Sequence, residues 1–535
     1  MPNTCKTKPT NKKTSPQVIK SVVCPICGCV CDDLEVTVEN NEIVKMKNGC
    51  AVCEAKMVHG YKSERITNPL IRKNGKLVPV SMDTAVKKAA QILTEAKYPL
   101  LFGWECCTGE AQGIGVELAE ELGAALDNVC SICHGPSMMA TQEAGIPGCT
   151  LGQVRHRADL IVYWGSNPWA SHPRHVERYT AFPEGRFEDS GWKSYMQKLK
   201  GNTSRKKMDV AAKRIIREEV LPHPQTCAVD APPQFLNKAG RKLIVFDPIK
   251  TMTAEAADYY VQTEPNKDYE IMEALRCLIN DQEIDVDKVG GIPVDYLKEI
   301  ADLMVNCEFG AIFFGLGLTA SAGRFRNIEI AIKMVRDLNR KTKFVITPMR
   351  GHFNIAGANI AFTWRTGYPF AIDFSQGYPQ YNPGEFTTID LLKNNDIDAT
   401  LVIGSDPAAH FPKVSMKKML QHPLIVINPD MNATSMVGDV LFPTQWCGIE
   451  YEGTVYRMDT VPIMLRKVVE PPKGVLNDEQ ILSRILTEVR LIKAEKAKAE
   501  NKVDLVKAES KADKVKVPQI VEVPARKSVK RKMRA

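Results

Sequence analysis

At 535 residues, with 44% hydrophobic and 25% charged side chains, the chain is too long for one simple core and has the composition of a globular protein of several lobes. No apolar run approaches the roughly 18 residues needed to span a bilayer, and the lysine-rich start lacks the apolar stretch of a secretory signal, so no membrane span and a cytoplasmic location are expected. The net charge of +8 belongs to the two ends: residues 1–20 carry five lysines and no acid, residues 490–535 carry fifteen basic against six acidic side chains, and the mildly acidic body between them argues against a nucleic-acid partner.

Residues 1–20, rich in Lys, Thr, Pro and Asn, are expected to form a disordered basic extension. Residues 21–62 read as a small β-rich lobe. Leu34–Glu39 alternates apolar and polar as a half-buried strand does, Asn40-Asn41 marks a turn, and Ile43–Met46 reads as a second strand. The lobe is dense in cysteine. Cys24, Cys27 and Cys31, followed by Cys50 or Cys53, can supply four thiolates, and the leading triplet suits a [4Fe–4S] cluster. A four-cysteine zinc site is the alternative, although such sites usually combine two short pairs. Cys29, inside the triplet, is the spare. Sixteen cysteines in a reducing compartment point to metal rather than to disulfides.

Beyond residue 63 apolar strands alternate with amphipathic helices. Helices are expected over Met82–Ala96 and Glu110–Leu122, and an apolar helix-and-turn segment ends at Asn128. Strands are expected at Pro99–Gly103, Ala158–Gly165, Lys242–Asp247, Phe309–Gly315, Thr342–Thr347, Thr400–Gly404 and Leu424–Asn428. This order predicts α/β lobes over 63–185 and 241–489, built on parallel sheets covered on both faces. Residues 186–240 break the rhythm and read as a charged surface insertion with one helix, Met208–Val220. Residues 490–535 read as a basic, largely disordered tail, helix-prone but solvated over 494–535.

Ligands bind such sheets at the strand C-termini, where the polar signals fall. Cys133-His134-Gly135-Pro136 sets a thiol beside an imidazole, able to ligate a redox metal and assist a proton; Cys130 and the vicinal pair Cys106-Cys107 compete for the first role. Arg350 follows the strand ending at Thr347, where a guanidinium can hold a small carboxylate in two parallel hydrogen bonds. Five loops carry small residues or prolines: Gly165-Ser166-Asn167-Pro168, Asp247–Thr251, Gly315-Leu316-Gly317-Leu318-Thr319, Gly404-Ser405-Asp406-Pro407 and Asn428-Pro429-Asp430. Small residues bring backbone N–H groups to phosphates, and aspartates can take guanine or ribose donors. Five such loops suggest a large nucleotide cofactor with several phosphates.

Val245–Asp258 and Glu264–Asp268 resemble the pterin-guanine-dinucleotide loop of the molybdopterin oxidoreductases. A closer resemblance, to the B-type subunit family of tungsten- or molybdenum-type formylmethanofuran dehydrogenases, is carried by Cys24–Asp33, Cys133–Pro136, Tyr163–Pro168, His172–His175, Phe313–Thr319, Pro348–His352, Thr366–Phe370, Asp406–Pro412 and Glu452–Asp459. It covers about residues 21–470, the insertion excepted.

The resemblance implies a formate dehydrogenase-like fold of three α/β domains with a small N-terminal β-rich iron–sulfur lobe. It implies a [4Fe–4S] cluster on Cys24, Cys27, Cys31 and Cys50, with Cys53 as the alternative fourth ligand. It also implies tungsten or molybdenum held by Cys133 and by two molybdopterin guanine dinucleotides, whose cradle would include Gly165, Ser166, Asn167, Asp247, Thr251, Gly315, Gly317, Asp406 and Asn428. His134 would position or shuttle a proton near its ordinary pKa of about 6.5. Arg350 would stabilise growing carboxylate-like charge. The implied activity is reversible reduction of CO2 to formate, the first step of methanogenesis from CO2 or its reverse. Formate would pass to an amidohydrolase-like subunit for condensation with methanofuran, in a complex with pterin-domain and ferredoxin-like subunits. A stand-alone formate dehydrogenase of the same fold and a non-catalytic iron–sulfur scaffold are the alternatives.

Overall fold

The computed structural model describes residues 15–63, 65–183 and 241–512, without the side chains of 501–512. The insertion at 186–240 with its expected helix Met208–Val220, the start of the basic extension (1–14) and the end of the tail (513–535) lie outside the described residues.

The cysteine lobe is an antiparallel meander of three strands, Gln17–Val22, Leu34–Glu39 and Glu42–Lys47. Asn40 and Asn41 both take positive φ, 50° and 65°, as a two-residue hairpin turn requires. The first strand begins inside the stretch expected to be disordered. Gln17–Ile19 pair with Val36–Val38, and Val22 is fully buried, so apolar β-branched residues outweigh the polar composition around them.

Two larger sheets carry the body. The first is all parallel, in the order Tyr259–Gln262, Lys242–Asp247, Leu160–Trp164, Phe309–Phe314, Lys343–Pro348. Every residue of Leu160–Trp164 and Phe309–Phe314 is buried, as strands covered on both faces demand. The second sheet has nine strands. Its centre, Ala125–Asn128, Pro99–Gly103, Ala399–Ile403, Leu424–Asn428 and Val440–Pro443, is parallel, and antiparallel strands flank it on both sides. Each sheet reverses its strand order once, between Leu160–Trp164 and Phe309–Phe314 in the first and between Pro99–Gly103 and Ala399–Ile403 in the second. These switch points leave a crevice at the strand C-termini.

Two expectations need correction. The segment ending at Asn128 is the strand Ala125–Asn128, not a helix and turn. Its Asp127 carboxylate accepts from Thr388 N at 2.7 Å and Ala371 N at 3.1 Å, so distant partners set its conformation. The described start of the tail, expected to be helix-prone but largely disordered, continues one helix, Asp478–Ala512. Ile481, Leu482, Ile485, Leu486 and Val489 bury one face of its first turns, and Arg490 and Lys493 pair with Glu121 at 3.3 and 2.9 Å. Among the described residues no helix is long and apolar enough to cross a membrane.

Candidate active site

Cys133 follows a single helical turn, Val129–Ile132, at the end of the strand Ala125–Asn128. Asn128 pins that turn: Oδ1 accepts from Cys130 N at 3.0 Å, and Nδ2 donates to the Pro369 carbonyl at 2.9 Å. Cys130 is buried and Cys133 partly open, which separates the two competing thiols. Thr319 Oγ1 donates to the Cys133 carbonyl at 2.9 Å, so the loop after Phe309–Phe314 meets the cysteine loop of the other sheet. The sequence places Thr319 at the end of the loop Gly315–Thr319, but not its bond to the cysteine loop. Burial, reinforced by Cys130, pushes the Cys133 thiol up to about 12 against the pull of Arg350. A bound metal cation would deprotonate such a thiol outright.

His134 is buried, with both ring nitrogens engaged. Nε2 lies 3.1 Å from the Met349 carbonyl, which can only accept, so this nitrogen carries the hydrogen; Nδ1 then accepts from the Ser137 hydroxyl at 3.0 Å. Burial, helped by Arg350, drives its pKa down to about 3. The expected shuttle near pKa 6.5 does not fit this environment. His134 is a neutral strut between the cysteine loop and the arginine loop.

Arg350 is 6% exposed. Its Nη2 lies 3.4 Å from Met138 Sδ, its Nε has no hydrogen-bond partner, and no carboxylate pairs with it among the described residues. Burial lowers its pKa, which the Cys130 and Cys133 thiols partly restore. The cysteine lobe docks directly on this loop. Gly28 N donates to the Gly351 carbonyl at 3.0 Å, Cys27 bridges to His352, and a Cβ at Gly28 would lie 2.1 Å from the Arg350 carbonyl oxygen.

Six unpaired thiols, Cys24, Cys27, Cys29, Cys31, Cys50 and Cys53, line one small cavity of this lobe. Cys24 and Cys53 stand 3.3 Å apart, Sγ to Sγ, and the Met46 and Met57 sulfurs back Cys53 at 3.6 Å. Cys29, the expected spare, lines the same cavity. Among the described residues no three ligating side chains close on a single ion. Arg174 closes the wall, with Nη1 and Nη2 on the two Asp33 oxygens at 2.6 and 2.8 Å; Arg178 pairs with Asp32. Burial would raise the Asp33 carboxyl, but the two arginines hold it below the usual range.

The glycine-marked loops meet at the switch points. Gly165 has φ +54°, and a Cβ there would lie 2.9 Å from Gly317 Cα; Gly317 N donates to the Gly165 carbonyl at 3.0 Å. A Cβ at Gly315 would lie 2.6 Å from the same carbonyl oxygen. These glycines serve loop-to-loop packing first. The two sheets repeat one design. Asn167 Oδ1 accepts from Thr253 Oγ1 at 2.7 Å, and Asp406 Oδ1 accepts from Thr434 Oγ1 at 2.6 Å. Trp169 N and Ala408 N then reach the same two threonines at 3.3 and 3.0 Å. Gly-Ser-Asn-Pro at 165–168 and Gly-Ser-Asp-Pro at 404–407 are its readable signal; Thr253 and Thr434 are the partners sequence reasoning missed. Local bonds also occupy Thr251, which caps Met252–Glu255, Asp247, whose Oδ1 accepts from Ile249 N at 2.9 Å, and Asn428, whose Nδ2 donates to the Asp430 carbonyl at 2.9 Å. Ser166 lies buried beside Gly315.

No protein-family profile matches the chain. It is 44% identical over 476 residues to the B-type subunit of tungsten-containing formylmethanofuran dehydrogenase 2 of Methanocaldococcus jannaschii, covering 89% of this chain and 99% of that protein. It is 41% identical over 479 residues to the protein of the same name from Methanococcus maripaludis, covering 89% and 100%. In fold it is similar to acetylene hydratase from Pelobacter acetylenicus, with a TM-score of 0.60 at 13% identity over 88% of this chain and 69% of that one. The chain belongs to the B-type subunit family of formylmethanofuran dehydrogenases, oxidoreductases of the molybdopterin superfamily.

Proposed function

We propose that this chain is the redox subunit of a cytoplasmic formylmethanofuran dehydrogenase complex and interconverts CO2 and formate. Formate would pass to an amidohydrolase-like subunit for condensation with methanofuran, and pterin-domain and ferredoxin-like subunits would complete the assembly. The carrying observation is Arg350, a buried guanidinium without a carboxylate partner among the described residues, in the electrostatic neighbourhood of Cys133. An unpaired buried cation is costly, and it marks a place made to receive an anion. Its planar fork matches formate or the carboxylate that forms from CO2.

The donor sets fit the cofactors of the family. Cys133 would ligate tungsten or molybdenum, and the repeated loops, one in each sheet, fit two copies of one pterin guanine dinucleotide. Gly165, Ser166, Asn167, Asp247, Thr251, Gly315 and Gly317 would hold one copy, and Asp406 and Asn428 the other, largely through backbone groups because several of their side chains are already bonded. Cys24, Cys27, Cys31 and Cys50 would hold a [4Fe–4S] cluster, with Cys53 as the alternative fourth ligand. When bound, the group-6 metal supplies two-electron chemistry and the cluster supplies single electrons. Around them Arg350 orients the one-carbon substrate and offsets its charge, and His134 braces the arginine loop.

Arg350→Lys in the intact complex should lower kcat/KM for formate oxidation about 100-fold, with tungsten content and the iron–sulfur spectrum unchanged, because a point charge cannot replace a bidentate fork. Wild-type kinetics would remove Arg350 from the reaction.

A further inference from the structure

We infer that His172 is a positioning residue for this reaction: it fixes the backbone of Arg350 and ties that position to the loop Gly165–Asn167. The inference rests on the reading of Arg350 given above.

After Pro348 the arginine loop leaves its sheet and turns at once, with Arg350 N donating to the Pro348 carbonyl at 3.1 Å. The following carbonyls therefore need donors from elsewhere. His134 takes the Met349 carbonyl from the cysteine loop. His172 takes the next one, with Nε2 2.9 Å from the Arg350 oxygen. A carbonyl only accepts, so Nε2 carries the hydrogen, and Nδ1 faces the Ser171 hydroxyl at 2.8 Å. The Ser171 hydroxyl has one hydrogen and gives it either to Nδ1 or to the Asn167 carbonyl at 3.1 Å, while the backbone ties the pair to that loop, Ser171 N donating to the Asn167 carbonyl at 3.1 Å. His172 is 1% exposed and sits between the short helices Pro168–Ser171 and Pro173–Arg178, directly beyond the first glycine loop. Two imidazoles from different loops thus hold two successive carbonyls, and the Gly28 amide holds the third.

The side chain of Arg350 has little to hold it: one thioether contact and an unpartnered Nε. Its placement depends on its backbone. Without the His172 donor, the Arg350 carbonyl stays buried and unbonded, and the loop must shift to find another partner. A displacement of about 1 Å at a substrate-positioning group costs up to roughly 100-fold in rate. His172 acts on the substrate only through Arg350.

The test uses the intact complex and compares His172→Phe, which keeps a ring but has no donor, with His172→Gln, whose amide N–H can reach the same carbonyl. Each is made alone and together with Arg350→Lys. Formate kinetics, tungsten content and the iron–sulfur spectrum are read for every variant. His172→Phe should lower kcat/KM about 10- to 30-fold with metal and cluster retained, and His172→Gln should recover most of it. Added to Arg350→Lys, His172→Phe should cost less than about 3-fold more, because the fork it positions has gone. An equal penalty in both backgrounds, or a Gln variant as poor as Phe, overturns the inference while leaving Arg350 in place. Wild-type kinetics for Arg350→Lys alone overturns the reading of Arg350 and this inference with it. Should the Phe variant fail to assemble, His172→Asn, whose shorter amide cannot reach the carbonyl, takes its place against Gln.

Discussion

Replacing Cys133 by alanine is expected to leave less than about a thousandth of the formate oxidation rate while the iron–sulfur signal persists. Cys133 is partly open, sits where the cysteine loop meets the Gly315–Thr319 loop, and is held at its carbonyl by Thr319. The neighbouring thiol cannot stand in for it: Cys130 is buried, its amide tied to Asn128 within the same turn. Folding should survive, because a small, partly exposed side chain is removed and the turn keeps its backbone bonds. The proposed cluster should survive as well, because the thiols proposed to hold it lie in a separate lobe behind Gly28. Formate kinetics beside the low-temperature iron–sulfur spectrum decide the matter; a Cys133→Ala enzyme with substantial activity would move the ligand role to another thiol.

Gly28→Ala should damage two centres at once. The added Cβ would lie 2.1 Å from the Arg350 carbonyl oxygen, which is backbone and cannot swing aside as a flexible side chain would. The lobe or the loop must move, and overpacking of this kind costs about 1–3 kcal/mol, more where both partners are backbone. The Gly28 amide would lose the Gly351 carbonyl, and the Arg350 carbonyl would be driven off His172. Formate turnover should fall at least about 100-fold, and the cluster signal should weaken or shift in the same preparation. Thermal unfolding, turnover and the cluster spectrum check this together. A variant that loses one centre and keeps the other intact would show that the lobe does not lock the arginine loop.

The parts of this molecule legible in its sequence are those set by local pattern. Buried strands such as Leu160–Trp164 and Phe309–Phe314 announce themselves as unbroken apolar runs, and Asn40-Asn41 announces its turn. The cysteine spacing gathered the thiols that now share a cavity. What escaped depends on partners far along the chain. Ala125–Asn128 is short and half polar, and it is a strand because its backbone pairs with Leu100–Gly103 and Ile372–Asp373, its Asp127 side chain being bonded to residues 244 and 261 positions away. His134 looks like a proton carrier until the Met349 carbonyl, 215 residues on, occupies one nitrogen and Ser137 the other. The four-residue repeat at 165–168 and 404–407 was in plain view, but its meaning lies in Thr253 and Thr434, which only the sheet topology brings near. The apolar face at 481–489 that extends the last helix was masked by the basic charge that follows it.

Elemental and nucleotide analysis of the anaerobically isolated complex addresses the metal centre most directly. For each copy of this chain it should yield one tungsten or molybdenum atom and two guanine nucleotides released with pterin. Iron without a group-6 metal, or guanine absent from active enzyme, would mean that Cys133 and the paired loops hold something else.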